Sequence, residues 1–478
     1  MSEPTEPTEP MKAVQARRLG RLSAEERAAR LCDPGTFARE GGALRSRSAD
    51  APAGDGLVCG AGMVAGRPIR VIATDGRVLR GTLGQAGALA ATRSLAAARR
   101  AGQPVVLLLD SDGARPSEGL PAVLANTEFL AALADLGGHV PRLGAVFGAA
   151  GGSAAYALAL TDLAVGIAER SFAFVAGPAV VARAIGEETS LGRLGGTAVH
   201  TRNGLLHATA RDDAEAVAWL RQALGYLPDS AATLPRPHAP REPREVGGLA
   251  RLFAADAKKP WALERLLAHV VDAESWHELA AAWGPSVRTG LARVAGRALL
   301  VVASSSGDLA GAIDAAAARK LARMIRFASA FNLPILTLCD TPGFLPGTQQ
   351  EAAAILCHGA AVIAAYCEAR RSVPRVAVVL RRAIGAGSVL AAEADLVLAL
   401  PGALVAQMGP AALAVAAKAA GVNAAEVVGG DAEAEAAGFA HRTVAADVVR
   451  GEIVSAFERL PAPRPAAPGA RKAPLFPL

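Results

Sequence analysis

Apolar residues in this chain come in short unbroken runs, separated by alanine-rich stretches of helical period. "GMVAGRPIRVIA" (62–73) reads as a β-branched strand after a Val-Ala-Gly-Arg turn, and "PVVLLLDSDG" (104–113) as a strand ending in Asp-x-x-Gly at Asp110. An amphipathic helix is expected between them over 89–100. A further strand runs into "VFGAAGGSAAYALALTD" (146–162), whose paired glycines open onto another helix. Strands that are apolar at consecutive positions are buried on both faces. Alternating them with helices gives a layered α/β fold.

The pattern then recurs. "ARVAGRALLVVA" (292–303) repeats 62–73 and "PILTLCDTPG" (334–343) repeats 104–113, both at an offset of 230, with a second alanine-rich helix expected over 315–330. "AAGGSAA" returns as "AIGAGSVLAA", and "FVAGPAVVA" as "VAQMGPAALA", at offsets of 232 to 235. Four matches in one order point to duplicated half-chains. The expected domains are 18–226 and 249–460, joined by a Pro-rich, charged linker at 227–248, with residues 1–17 and the tail 461–478 disordered. Near the start, "SAEERAARLCDPGTFAREGG" (23–42) predicts a helix capped by Ser23, then a turn at Pro34-Gly35.

Composition narrows the chemistry. A chain of 478 residues accommodates two domains of roughly 200 residues. Aromatics are only 4%, so the core is Ala, Val and Leu. The net charge of +6 comes without a basic block, which disfavours nucleic acid and suits an anionic small ligand. Five cysteines with no Cys-x-x-Cys argue against a zinc ribbon or disulfide framework and fit a reducing cytoplasm. The N-terminus lacks the apolar core of a signal peptide. Residues 143–161 are uncharged but Gly/Ala/Ser-rich, a poor membrane span.

Small residues between a strand and a helix leave the first amides of that helix without intrahelical partners. Two such amides form an oxyanion hole for a carbonyl that gains charge, worth about 3–4 kcal/mol per donor in acyl transfer. Taken alone, tight helix–strand packing is the better explanation of glycines there; their appearance in both half-chains shifts the reading toward a paired site. A P-loop, a dinucleotide fingerprint and a nucleophile elbow are all missing. His200 and His207 have no clustered carboxylate and read as surface or supporting residues, no metal ligands are evident, and Lys12 in a polar terminus is discounted as a biotin acceptor.

"DSDGARPSEG", "FGAAGGSAAYALALTD", "FAFVAGPAVVARAIGEETSLGRLGG", "DTPGFLPGTQQE", "VPRVAVVLRRAIGAG" and "MGPAALA" together resemble the carboxyltransferase subunit of biotin-dependent acyl-CoA carboxylases, the propionyl-CoA/acetyl-CoA carboxylase β chain in particular. The likeness runs from about residue 18 to 460. It implies an α/β fold of two tandem crotonase-like ββα superhelix domains, in an oligomer that is usually a hexamer. Acyl-CoA would sit on the N-terminal domain of one chain, and carboxybiotin, on a separate carrier, on the C-terminal domain of another. A biotin carboxylase would complete the machinery, with no metal in this chain. By the same resemblance Gly152 and Ser153 (or Gly151 and Gly152, one residue earlier) donate amides to one carbonyl, and Ala386 and Gly387 to the other. Gly113, Ala114, Phe344, Gly385 and Val389 line the substrate or cofactor. Ser153 replaces a glycine of the family, Ser388-Val389 a Tyr-Asp pair whose second member is tied to acyl-chain choice, and "GFAHRTVA" (438–445) a stretch with two acids. The helix leading to Asp395 is expected to be about four residues shorter than in the family. Two alternatives stay open: a decarboxylase subunit for malonyl-type thioesters, and a non-catalytic assembly subunit.

Overall fold

The computed structural model describes residues 22–253, 259–421 and 428–472. The N-terminal segment 1–17, Lys12 included, and the end of the tail at 473–478 lie outside the described residues. The chain forms two units, Met1–Gly225 and Tyr226–Leu478.

The first unit starts with helix α1 (Ala24–Leu31), closed by a capping box in which Ser23 and Glu26 satisfy each other's amides. Its eight-stranded sheet runs in the order β1 (Ala38–Glu40), β2 (Leu57–Val64), β3 (Arg67–Thr74), β4 (Val105–Ser111), β5 (Arg142–Gly151), β6 (Leu163–Ile167), β8 (Ala208–Ala210), with β7 (Phe172–Phe174) also on β5. β2 and β3 form an antiparallel hairpin, and β3 through β6 are parallel. Parallel neighbours need crossovers. Helices α2 (Gln85–Ala101) and α3 (Gly119–Asp135) supply two of them, and α4 (Ser153–Ala159) begins the third. Leu95 of α2, Phe129 and Leu133 of α3, Leu158 of α4 and Leu107 of β4 share one buried cluster. The unit closes with α5 (Asp213–Leu224).

The second unit repeats this plan in a nine-stranded sheet: β9 (His277–Leu279), β10 (Val287–Val294), β11 (Arg297–Ser304), β12 (Ile335–Thr341), β13 (Arg375–Ile384), then β14 (Leu396–Ala399) and β15 (Leu404–Ala406) both on β13, with β16 (Val428–Gly429) on β15 and β17 (Arg442–Thr443) on β14. Helices α6 (Ala315–Ala330), α7 (Ile355–Ala369) and the four-residue α8 (Val389–Ala392) answer to α2, α3 and α4. β10, β11 and β12 each start 230 residues after their counterparts (57 and 287, 67 and 297, 105 and 335), whereas β13 starts 233 after β5 (142 and 375).

Side-chain contacts repeat as well. Arg142 donates to Asp162 from its main-chain amide at 2.7 Å and its guanidinium at 2.6 Å; Arg375 does the same to Asp395 at 2.8 and 2.6 Å. His207 accepts the Ala164 amide on Nδ1 at 3.1 Å, and His441 accepts that of Val397 at 3.1 Å. His207 is therefore a buried sheet-edge fixture rather than a surface residue. Before each first crossover helix the backbone turns left-handed at Leu79, Arg80 and Gly81 (φ 43°, 58°, 66°) and again at Leu309, Ala310 and Gly311 (φ 47°, 51°, 82°). A Cβ at Gly81 would lie 1.9 Å from the Asp110 carbonyl, and one at Gly311 2.4 Å from that of Asp340.

The Pro-rich stretch 227–248 lies along the second unit. Leu227 and Ala231 are buried, His238 donates to Gly296 at 3.0 Å, and Glu245 donates to Ala268 at 2.9 Å. The tail is tied down there too: Arg464 donates to Ser372 and Ala466 to Ala231, both at 2.8 Å, and Lys472 reaches Asn332 Oδ1 at 2.5 Å. Proline composition hides such fixtures because single backbone bonds hold them. Among the described residues no helix is long and apolar enough to cross a membrane.

Candidate active site

Two turns meet at the carboxyl ends of β4 and β5. In the first, Gly113 is left-handed (φ 97°), its amide donating to Ser111 Oγ at 3.0 Å and its carbonyl accepting from Leu83 at 2.8 Å. Arg115 donates back to Leu83 at 2.9 Å, so Ala114 is bridged to Leu83. In the second, Gly152 (φ 51°, ψ −120°) bends the chain from β5 into α4. The turns touch: a Cβ on Gly113 would lie 2.6 Å from the Gly151 carbonyl and 3.2 Å from the Ser153 amide nitrogen. Only glycine tolerates both that conformation and that approach.

The expected donor pair needs correction here. The Gly152 amide donates to the Phe174 carbonyl at 3.2 Å, extending the β5–β7 ladder, and Gly151 sits within β5 itself, opposite Phe174. Gly152 thus supplies the bend rather than a donor. The amides left at the start of α4 are those of Ser153 and Ala154, which among the described residues have no backbone acceptor outside their own helix.

The second unit builds the same junction with different side chains. Gly343 (φ 109°) donates to Thr341 Oγ1 at 3.1 Å, its carbonyl accepts from Ile313 at 3.0 Å, and Leu345 donates back to Ile313 at 2.9 Å. Gly385 (φ 59°) is the bend and therefore the counterpart of Gly152. A single 3-10 turn over Gly385–Ser388 follows, in which Ala386 is exposed and Gly387 buried. Among the described residues the Ala386 and Gly387 amides have no backbone acceptor outside that turn. A Cβ on Gly387 would fall 2.8 Å from Gly343 Cα, so the turns close on each other as in the first unit. Half-buried Val389 opens α8. Phe344 lies on Gly359 of α7, where a Cβ would come within 3.2 Å of its ring.

Beneath each junction lies a buried aspartate. Asp340 receives Arg381 at 2.6 Å, Arg382 at 2.9 Å and the Trp261 indole at 2.8 Å. Asp110 receives the Ala149 amide at 3.2 Å and has Arg27 at 3.7 Å. Both are anchors below the turns, and Asp112 is ion-paired to Arg80. Burial pushes the Cys339 thiol up to about 12, so it is no nucleophile at neutral pH. His200 is engaged by the Ala173 carbonyl at 2.7 Å. The chemistry open to this arrangement is polarisation of a carbonyl by main-chain amides.

Sequence reading missed Asn126, a buried polar residue among Ala and Leu on α3. Its Nδ2 donates to the carbonyls of Leu83 (3.1 Å) and Ala122 (2.9 Å), and its Oδ1 accepts from the Ser153 hydroxyl at 2.9 Å. The sole signal was an Asn in an otherwise apolar helical stripe.

Known proteins with this arrangement agree on its class. The carboxyl transferase domain family matches residues 15–460. The propionyl-CoA carboxylase beta chain of Saccharopolyspora erythraea is 35% identical over 412 residues, covering 82% of this chain and 75% of that one. The methylmalonyl-CoA decarboxylase subunit alpha of Veillonella parvula is 33% identical over 405 residues, covering 82% and 79%. Among solved structures, a transcarboxylase 12S hexamer with methylmalonyl-coenzyme A and methylmalonic acid bound superposes with a TM-score of 0.89 at 30% identity, covering 98% of this chain and 97% of that one. The two sheets are accordingly crotonase-like domains, and the chain belongs to the carboxyl transferase domain family as a carboxyltransferase of the acyl-CoA carboxylase β-subunit type.

Proposed function

We propose that the chain transfers a carboxyl group from carboxybiotin, held on a separate carrier protein, to the α-carbon of an acyl-CoA thioester. The observation that carries this reading is the duplicated junction. Each unit brings a left-handed glycine (Gly113, Gly343) against a strand-to-helix bend (Gly152, Gly385) and leaves the next amides uncommitted. In the first unit Ser153 and Ala154 would hold the thioester oxygen as enolate charge develops. In the second, Ala386 and Gly387 would hold the ureido oxygen of biotin. A Cβ at Gly387 would meet Gly343 Cα at 2.8 Å, so glycine there lets the two turns close on each other. Each amide aimed at developing charge contributes about 3–4 kcal/mol. When bound, biotin delivers the carboxyl group and takes up the α-proton; the protein's share is orientation and fixed dipoles.

Val389, half-buried at the start of α8, would line the acyl pocket. The departure at 438–445 is structural in character, because His441 there repeats the role of His207. The assembly we propose is a cytoplasmic hexamer working with a biotin carboxylase and a carrier protein, as the hexameric transcarboxylase core resembles this chain over nearly its whole length. Reconstitution with those two partners should give ATP- and bicarbonate-dependent carboxylation of acetyl-, propionyl- or a longer acyl-CoA. Intact oligomers that turn over no acyl-CoA would point instead to an assembly subunit. A second reading, decarboxylation, is favoured by the likeness to the Veillonella subunit; release of CO2 from methylmalonyl-CoA without ATP would establish it.

A further inference from the structure

From the geometry around α4 we infer that Asn126 is a positioning residue for the acyl-side oxyanion hole: through the Ser153 hydroxyl and the Leu83 carbonyl its carboxamide ties together the two turns that form the hole. The inference rests on the functional reading above. Asn126 is 2% exposed, and its nitrogen faces two carbonyls, Leu83 at 3.1 Å and Ala122 at 2.9 Å. That arrangement fixes the amide orientation, since reversing it would set the amide oxygen against both carbonyls. The oxygen therefore faces Ser153, and the Ser153 hydroxyl must be the donor in the 2.9 Å bond.

Two consequences follow. Leu83 is the residue to which Ala114 is bridged, so one carboxamide grips the Gly113 turn through Leu83 and the Gly152 turn through Ser153. A capping serine offers its oxygen to the amides two and three residues on, here Ala155 and Tyr156, and both already donate to the Gly152 carbonyl. The Ser153 hydroxyl is instead spent on Asn126, and that bond holds the start of α4 against α3.

The second unit supports the assignment by solving the problem differently. Positions 233 residues on are Ala386, which has no hydroxyl to restrain, and Gly359, which has no side chain to restrain it. The Phe344 ring, on the residue answering to Ala114, occupies the space over Gly359. The polar tie appears where the serine appears.

The test is a kinetic cycle on the full, reconstituted complex with Asn126→Leu, Ser153→Ala and the double variant. Asn126→Leu should lower kcat roughly tenfold or more, short of the roughly 10²–10³-fold cost of losing an oxyanion donor outright. KM for the acyl-CoA should change less. In the Ser153→Ala background the same Asn126 change should cost little, so that the double variant runs at the rate of Ser153→Ala alone. An equal loss in both backgrounds would overturn the inference and leave Asn126 as core packing. A crystal structure of Asn126→Leu decides the matter without activity: a swung Ser153 hydroxyl is expected, and an unmoved one refutes it. A wild-type complex that fails to carboxylate any acyl-CoA would sink the functional reading, with the Ser153 rotamer still judging the clamp.

Discussion

The two junctions share a backbone and differ in what braces it. In the first unit the brace is polar: Asn126 reaches Leu83 and Ser153. In the second it is apolar, Phe344 lying on Gly359. The aspartates below differ in the opposite sense. Asp340 is gripped by two arginines and a tryptophan within 3 Å, whereas Arg27 stands 3.7 Å from Asp110. The backbone course is therefore what the duplication kept, and the side chains around it were free to find separate solutions.

The bends offer the hardest test of that equivalence. Gly152→Val and Gly385→Val place a β-branched side chain at a left-handed residue. Each should cut turnover at least 10²-fold while sedimentation still shows intact oligomers. Near-normal rates in either variant would reduce that turn to packing. Next in size is Asp340→Asn, which leaves Arg381 and Arg382 short of a buried counter-charge and should destabilise by about 3–5 kcal/mol, read from chemical denaturation. Asp110→Asn should cost less, and a cost as large would erase the contrast.

A smaller effect concerns Lys320, wholly buried with its ammonium 3.2 Å from the Ala280 carbonyl, where the first unit has Ala90. Burial pushes its pKa down from 10.5 to about 7. Between those values the unfolded chain holds a proton that the folded chain has lost, so stability rises with pH across that window and the penalty is complete below it. Lys320→Met should raise Tm at pH 7 by about 5 °C and flatten its rise between pH 7 and 10. A wild-type Tm that does not rise across that window would contradict the assignment. Smallest is Val389→Asp, expected to reorder acyl-CoA preference by roughly tenfold in kcat/KM. An unchanged ranking removes Val389 from the pocket.

Much of the fold was legible because burial on both faces of a strand writes itself as unbroken apolar runs, and duplication wrote it twice. The helix at 315–330 and the Ser23 cap stand where the pattern put them. The donors were harder. "AGGSAA" and "IGAGSV" can be aligned with a slip of one residue, and only backbone angles pair Gly152 with Gly385 and Ser153 with Ala386. Nor does a sequence show that β7 takes up the Gly152 amide, since that bond joins residues 22 apart with α4 and β6 between them. Asn126 was invisible for a related reason: its partners, Leu83 and Ser153, are 43 and 27 residues away.

The left-handed corner ahead of each first crossover helix has a practical side. Leu79, Arg80, Leu309 and Ala310 each carry a Cβ into a conformation that disfavours it by about 1 kcal/mol, yet both half-chains retain the corner. That leaves a reserve for engineering. Ala310, without the ion pair that Arg80 makes, is where a glycine could relax the corner and lengthen shelf life without touching the chemistry.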